Sequence, residues 1–222
     1  MHLKTLLAGL SLRSATADME TEITHISYDS RTTAPGDVFV AMTGFATDGH
    51  AYIGKAVAAG AAAVVCERPP EDSSVPYVLV ENSRRALAVM AANYYGHPAD
   101  SMTMVAVTGT NGKTTTVSLL GEIFRNAGKV THVVGNIGYP YSLTALTSRK
   151  EDVIVCEISS FQMETADTFR PRVAALLNIT EDHLNRHGDM ATYTAMKMRI
   201  FRRQGPEDVA VFNADDPALA PL

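Results

Sequence analysis

The sequence predicts an α/β protein in two blocks: a small N-terminal α/β domain over residues 1–98, then a parallel-sheet domain built on a phosphate loop over 99–222. Three features carry that prediction. Short apolar runs alternate with helix-like segments along both blocks. A proline in polar company at 97–100 interrupts the alternation and reads as a linker. Soon after it, an apolar run ends in a glycine turn, from which a lysine and three threonines open an amphipathic segment.

In the first block, residues 38–41, 62–66 and 78–80 are apolar and as short as typical strands. Residues 52–59 and 84–95 have helical character, and Gly60 suits the position just past the first of these helices. Two prolines followed by acidic residues and serines make 69–74 a surface loop. The second block opens on a strand at 104–107, and Val117, Leu120, Phe124 and Ala127 follow it at helical spacing. Residues 153–156, 173–177 and 209–212 are further strands, joined by helical connectors at 162–169 and 190–203. Strand, crossover and strand again imply a parallel sheet wound right-handedly. The chain shows no internal repeat and no low-complexity tract.

Composition narrows the function. A hydrophobic content of 46% and a charged content of 19% describe an ordinary soluble protein. The net charge of −5 and the lack of a dense basic stripe argue against a nucleic-acid partner. Arg202 and Arg203 form an isolated pair, read as a solvated helix end. Cys66 and Cys156 each sit in an apolar run, which suits buried reduced thiols and a cytoplasmic location. The apolar run at 6–12 is short for a signal segment, and no run approaches a membrane span. A soluble cytoplasmic monomer is expected, without a membrane partner.

The phosphate loop comprises Gly109, Thr110, Asn111, Gly112, Lys113, Thr114 and Thr115. Backbone N–H groups and a helix N-terminus would face the anion, Lys113 would add a mobile charge, and Thr114 or Thr115 can ligate Mg²⁺. The stretch departs from the full Walker A pattern, because Val107 stands where the first glycine belongs. The competing structural reading is a plain strand–turn–helix with a capping glycine. In open α/β sheets, ligands sit outside the carboxyl ends of the strands. Three such ends carry polar residues here, at 109–115, 157–160 and 178–183. Glu157 directly follows a strand and can hold Mg²⁺ directly or through water; as a structural residue it would cap or pair.

His183 and His187 are four apart and would share a helix face. A zinc-hydrolase pattern fails there, because Leu184 occupies the glutamate position and no cysteine lies nearby. His183 alone beside a Mg²⁺–nucleotide site fits better, and His187, next to Gly188, reads as surface polar. Lys197, near Tyr193, Ile200 and Phe201, is by itself a surface lysine. Asp29, Ser30 and Arg31 form one polar loop of the first block; Gly44, Asp48, Gly49 and His50 form another.

Together, residues 108–115, 135–138 (Gly-Asn-Ile-Gly), 157–162 (Glu-Ile-Ser-Ser-Phe-Gln) and 178–183 resemble the Mur ligases. So do Tyr193, Lys197, Ile200 and Phe201, and the run Asn213, Ala214, Asp215 and Asp216. These enzymes build the peptide stem of the peptidoglycan precursor in the bacterial cytoplasm. The ordered set is more specific than any one motif and covers nearly all of the second block. Residues 135–138 and 159–162 are similar to the members that add D-glutamate to UDP-N-acetylmuramoyl-L-alanine. Residues 27–31, 36–41 and 48–50 look like the N-terminal domain of the members that add a diamino acid.

The resemblance implies an ATP-dependent, amide-bond-forming ligase working through an acyl phosphate. A substrate carboxylate attacks the γ-phosphate, and the amine of D-glutamate then attacks the acyl phosphate. Lys113 and two Mg²⁺ ions would neutralise the repulsion between the anions. By motif match, Thr114 and Glu157 would hold one Mg²⁺; His183 and a carbamylated Lys197 would hold the other. Asn136 and Ser159 would lie beside the UDP-N-acetylmuramoyl substrate. Ser30 and the 43–47 loop would meet the uridine diphosphate, although Phe45, Ala46 and Thr47 depart from the polar residues expected against uracil. Mur ligases have three domains. The resemblance therefore implies an incomplete ATP-binding domain at 99–222, no C-terminal domain, and an exposed sheet edge. The competing class is a nucleotide- or UDP-sugar-binding module without turnover. Folate-type polyglutamate ligases share a related phosphate loop, but Asn136 and the 157–162 stretch argue against them.

Overall fold

Side-chain alternation across its strands decides how the N-terminal unit builds its core. The computed structural model describes residues 1–44, 47–97 and 100–220. It divides into two units, Met1–Gly96 and His97–Leu222. Phe45, Ala46 and the linker residues Pro98 and Ala99 lie outside the described residues. The first unit runs α1 (Leu3–Leu6), β1 (Leu12–Ala15), β2 (Ile26–Ser27), β3 (Val38–Val40), a 3₁₀ turn at Gly49–Tyr52, and α2 (Ile53–Ala58). It continues through β4 (Ala63–Cys66), β5 (Tyr77–Val80) and α3 (Ser83–Tyr94). The sheet order is β1-β5-β4-β3-β2, parallel except for the antiparallel edge strand β1. Val38, Val40, Val65 and Val78 face α1 and α3, whereas Phe39, Val64 and Cys66 face α2. The apolar N-terminal segment is thus core: Leu3, Leu6 and Leu7 are buried.

The second unit comprises β6 (Thr103–Thr108), α4 (Lys113–Asn126), β7 (Thr131–Gly135), α5 (Tyr141–Ala145), β8 (Val153–Glu157) and α6 (Ser160–Met163). It ends with β9 (Val173–Leu176), α7 (Leu184–His187), α8 (Met190–Met198) and β10 (Val209–Phe212). Among the described residues its five strands are all parallel, in the order β10-β9-β6-β8-β7. Val105, Val107, Val153 and Val155 pack on Val117, Leu120 and Phe124 of α4. Ala106 and Ala174, on the other face, meet Met163 and Ile200. Val209 and Val211 of the edge strand β10 remain exposed. Among the described residues no helix is long and apolar enough to cross a membrane.

Several elements differ from the sequence prediction. Strands β1, β2 and β7 were not foreseen, because β1 is exposed throughout, β2 has two residues, and β7 is a half-buried edge. The connector expected at 162–169 is one short helix, α6, and the one expected at 190–203 is α8 closed by a 3₁₀ turn at Arg199–Phe201. Arg202 and Arg203 do sit exposed beyond it, and both guanidinium groups also bond Asp167. Both cysteines are buried free thiols.

Candidate active site

With β6 central and every strand parallel, the carboxyl ends of β7, β8, β6 and β9 open along one edge of the second sheet. The phosphate loop leaves β6 at Gly109 and closes at Gly112, whose φ of +79° places it in the left-handed region at the N-cap of α4. Gly112 has no side chain to cap the helix, so the first-turn N–H groups are available to an anion. Lys113 folds back on its own loop, donating to the carbonyls of Gly109 (3.0 Å) and Thr110 (2.9 Å).

Glu157 ends β8 and is only 2% exposed. One carboxylate oxygen accepts from the Thr114 hydroxyl at 2.8 Å, the other from the Asn136 amide at 3.1 Å. Thr114, rather than Thr115, is therefore the loop threonine that reaches the acid. Gly135 makes the approach possible: its φ is +98°, and a Cβ there would lie 2.1 Å from the Glu157 carbonyl oxygen. A hydroxyl beside a carboxylate is a hard-oxygen donor pair, which fits Mg²⁺. Among the described residues no three His, Cys, Asp or Glu side chains gather as a metal cage.

Lys197 lies in the last turn of α8 and is 2% exposed, not the surface lysine its residue type suggests. Its ammonium donates to the Gly109 carbonyl at 2.8 Å and sits 4.6 Å from the centre of the Tyr193 ring. Burial, and then repulsion from Lys113, push its pKa from 10.5 down to about 8, with Asp182 opposing. Tyr193 also reaches Thr110, hydroxyl to hydroxyl at 3.3 Å. Tyr193 was missed as a site residue, although its spacing of four from Lys197 on a helix puts ring and ammonium on one face.

His183 adopts φ +55° ahead of α7, with its side chain 45% exposed. Its ring lies 4.8 Å from that of Phe161 and 6.3 Å from that of Tyr193. It does not share a helix face with His187, because α7 begins only at Leu184. His187 is not surface polar either. It is buried, bonds Ser160 through Nε2 at 3.0 Å, and stacks on Phe161; burial holds its pKa below the ordinary value. Ser159 caps α6 in a reciprocal box with Gln162.

Ser30 belongs to a separate cavity of about 500 Å³ in the first unit, which Asp29, Arg31, Lys55 and Arg84 also line. Arg31 grips Asp29 through two nitrogens and holds its carboxyl well below the usual range. Thr43, Gly44 and Thr47 flank Phe45, which itself lies outside the described residues, so the expected uracil contact there has no structural description.

Two family models match the sequence. One, described as Mur ligase middle domain, covers residues 107–221; the other, Mur ligase family, catalytic domain, covers 22–95. The UDP-N-acetylmuramoylalanine–D-glutamate ligase of Pelotomaculum thermopropionicum is 60% identical over 119 residues, which is 54% of this chain and 26% of that protein. The UDP-N-acetylmuramoyl-L-alanyl-D-glutamate–2,6-diaminopimelate ligase of Syntrophomonas wolfei is 36% identical across 98% of this chain and 49% of its own length. Among solved structures, the MurF ligase of Thermotoga maritima in complex with ADP superposes with a TM-score of 0.66 at 30% identity, covering 90% of this chain and 48% of that one. A 2,6-diaminopimelate ligase structure shares the fold over 98% of the chain and 48% of its own, with a TM-score of 0.75 at 23% identity. The chain thus spans half or less of the length of these relatives. Because the middle-domain match alone takes in more than half of the sequence, this chain belongs to the Mur ligase family.

Proposed function

We propose that this chain supplies the ATP-binding and UDP-sugar-docking parts of a cytoplasmic ligase that adds D-glutamate to UDP-N-acetylmuramoyl-L-alanine. The observation that carries the reading is the meeting of Thr114 and Asn136 on the buried Glu157 beside the phosphate loop. The 60% identity to a D-glutamate ligase over about half of the chain supports the choice of amino acid. In this reading residues 99–222 bind ATP through Gly109 to Thr115, and residues 1–98 dock the uridine diphosphate in the cavity lined by Ser30.

The chemistry joins two anions. Lys113 swings from its own loop carbonyls to the triphosphate and offsets charge as the substrate carboxylate attacks the γ-phosphate. Magnesium, when bound, supplies further positive charge on the phosphate oxygens. Thr114 and Glu157 would hold one ion; His183 and Lys197 would serve a second. Lys197 suits carbamylation, since its low pKa leaves more unprotonated amine than an ordinary lysine has. That amine attacks CO₂, forms a C–N bond and loses a proton, leaving an anionic carbamate with oxygen ligands. Asn136 and Ser159 border the muramoyl substrate, and Asn136 also steadies Glu157.

The test measures phosphate release from ATP with Mg²⁺, UDP-N-acetylmuramoyl-L-alanine and D-glutamate. It uses the chain and any longer polypeptide in which it occurs. Release with D-glutamate is expected. A second reading, a diamino-acid-adding ligase, is favoured by the 36% identity that extends over 98% of the chain. Release only with a diamino acid and the alanyl-glutamate substrate transfers the assignment to it. Nucleotide binding by every form without turnover would leave a binding module.

A further inference from the structure

We infer that Asn178 is the positioning residue that sets the phosphate loop for its anion, with Asp216 as the strut behind it. The inference rests on reading residues 109–115 as a triphosphate site. Asn178 lies two residues beyond β9, and its side chain reaches across to the neighbouring loop rather than into its own turn. Its carbonyl oxygen accepts the Asn111 N–H at 2.8 Å, and its amide donates to the Asn111 carbonyl at 3.1 Å. Its own main-chain carbonyl accepts the Thr110 N–H at 3.0 Å. Two successive loop amides are thereby committed to Asn178, and anion binding falls to the amides that follow them into α4.

The clasp needs a planar group with one donor and one acceptor side by side, which an asparagine amide provides. It also needs a bare backbone opposite. Gly109 has φ +153°, and a Cβ there would lie 3.1 Å from the Leu177 Cβ and 3.4 Å from the Asn178 nitrogen. Thr180 closes the far side, its N–H donating to the Thr110 hydroxyl at 3.0 Å. Behind this loop sits Asp216, 8% exposed, whose carboxylate accepts the N–H of Ile179 at 3.0 Å and of Ala218 at 2.8 Å. The end of β10 is therefore tied to the end of β9, and the end of β9 to the phosphate loop.

The test titrates Mg²⁺–ATP into the chain and into Asn178→Ala, Asn178→Leu and Asp216→Asn, with amide hydrogen exchange on each. Both Asn178 variants should bind at least tenfold more weakly. Exchange at Thr110 and Asn111 should accelerate, while Val105 and Val155 in the sheet keep their protection. Asp216→Asn keeps one acceptor and should give a smaller loss with the same local signature. Asn178→Leu fills the same space and serves if the alanine variant does not fold. Binding within twofold of the parent, or a loss that also strips protection from Val105 and Val155, overturns the inference. A parent chain that binds no Mg²⁺–ATP overturns instead the phosphate-site reading beneath it.

Discussion

The candidate sites of the two units hold their charged groups in different ways. In the first, the ion pairs at and near the Ser30 cavity keep an exposed partner: Arg31, 87% exposed, bonds Asp29 two residues away, and Arg68, 58% exposed, bonds Asp48. In the second, Glu157 and Lys197 are each 2% exposed, and they meet partners 43 and 88 residues distant. A charge paired locally at the surface keeps most of its hydration and costs little to place. A buried charge is tolerable only where the fold delivers its partners, so its geometry depends on several strands at once. The first arrangement suits a docking surface, and the second suits a reaction centre.

The largest expected effect breaks the buried half of this comparison. Lys197→Ala should abolish phosphate release in whichever polypeptide shows it, with partial recovery when a short carboxylate is added. The carboxylate would replace the oxygen ligands of the carbamate, which alanine cannot form. Turnover measured with and without the additive checks this, and unchanged turnover removes Lys197 from the site.

The next effect is on stability. Lys197 has a pKa of about 8 in the folded chain against 10.5 ordinarily. Below about pH 8 both states are protonated and the cost of the buried ammonium is constant. Between 8 and 10.5 the unfolded chain retains a proton that the folded chain has lost, so stability rises with pH. The full rise is on the order of 3 kcal/mol. The buried thiols act the other way above pH 9, because burial pushes Cys66 up to about 11 and Cys156 to about 12. The measurement is therefore the parent's unfolding free energy minus that of Lys197→Met, in buffer free of CO₂. A flat difference across that window would mean the amine is solvated.

What the sequence revealed follows the same division between local and distant causes. Strands β3, β4, β6, β8 and β9 were legible because both of their faces are buried, which leaves continuous apolar runs. β7 was not, since Thr131 and His132 open a half-buried edge strand that carries no such run. The phosphate loop and the Glu157 strand end were legible as motifs. The burial of Lys197 was not, because its carbonyl partner is 88 residues away. His187 was misjudged for a related reason: Ser160, which bonds its ring, comes from α6, 27 residues earlier.

Two further variants sharpen the first unit's side, and both act on Asp48. His50→Ala should cost about 1–3 kcal/mol of stability in denaturant unfolding. The His50 side chain is 4% exposed, and it bridges the Asp48 carboxylate to the backbone N–H of Glu67. Its removal leaves that amide without its acceptor and empties the space of a buried ring. A cost below this range would mean that water replaces the ring.

Arg68→Ala should do less, although Arg68 bonds the other oxygen of the same carboxylate. Its side chain is 58% exposed, and together with the His50 N–H it holds the Asp48 carboxyl well below the usual range. Solvent screens an ion pair so placed, and immobilising the long side chain offsets part of the attraction. A change under about 1 kcal/mol is expected, shrinking further in high salt. Asp48 would keep both bonds to His50, one from the ring and one from the backbone, so its carboxylate stays anchored. A loss as large as that of His50→Ala, insensitive to salt, would show that the first unit too relies on a desolvated charge, and the contrast between the units would fail.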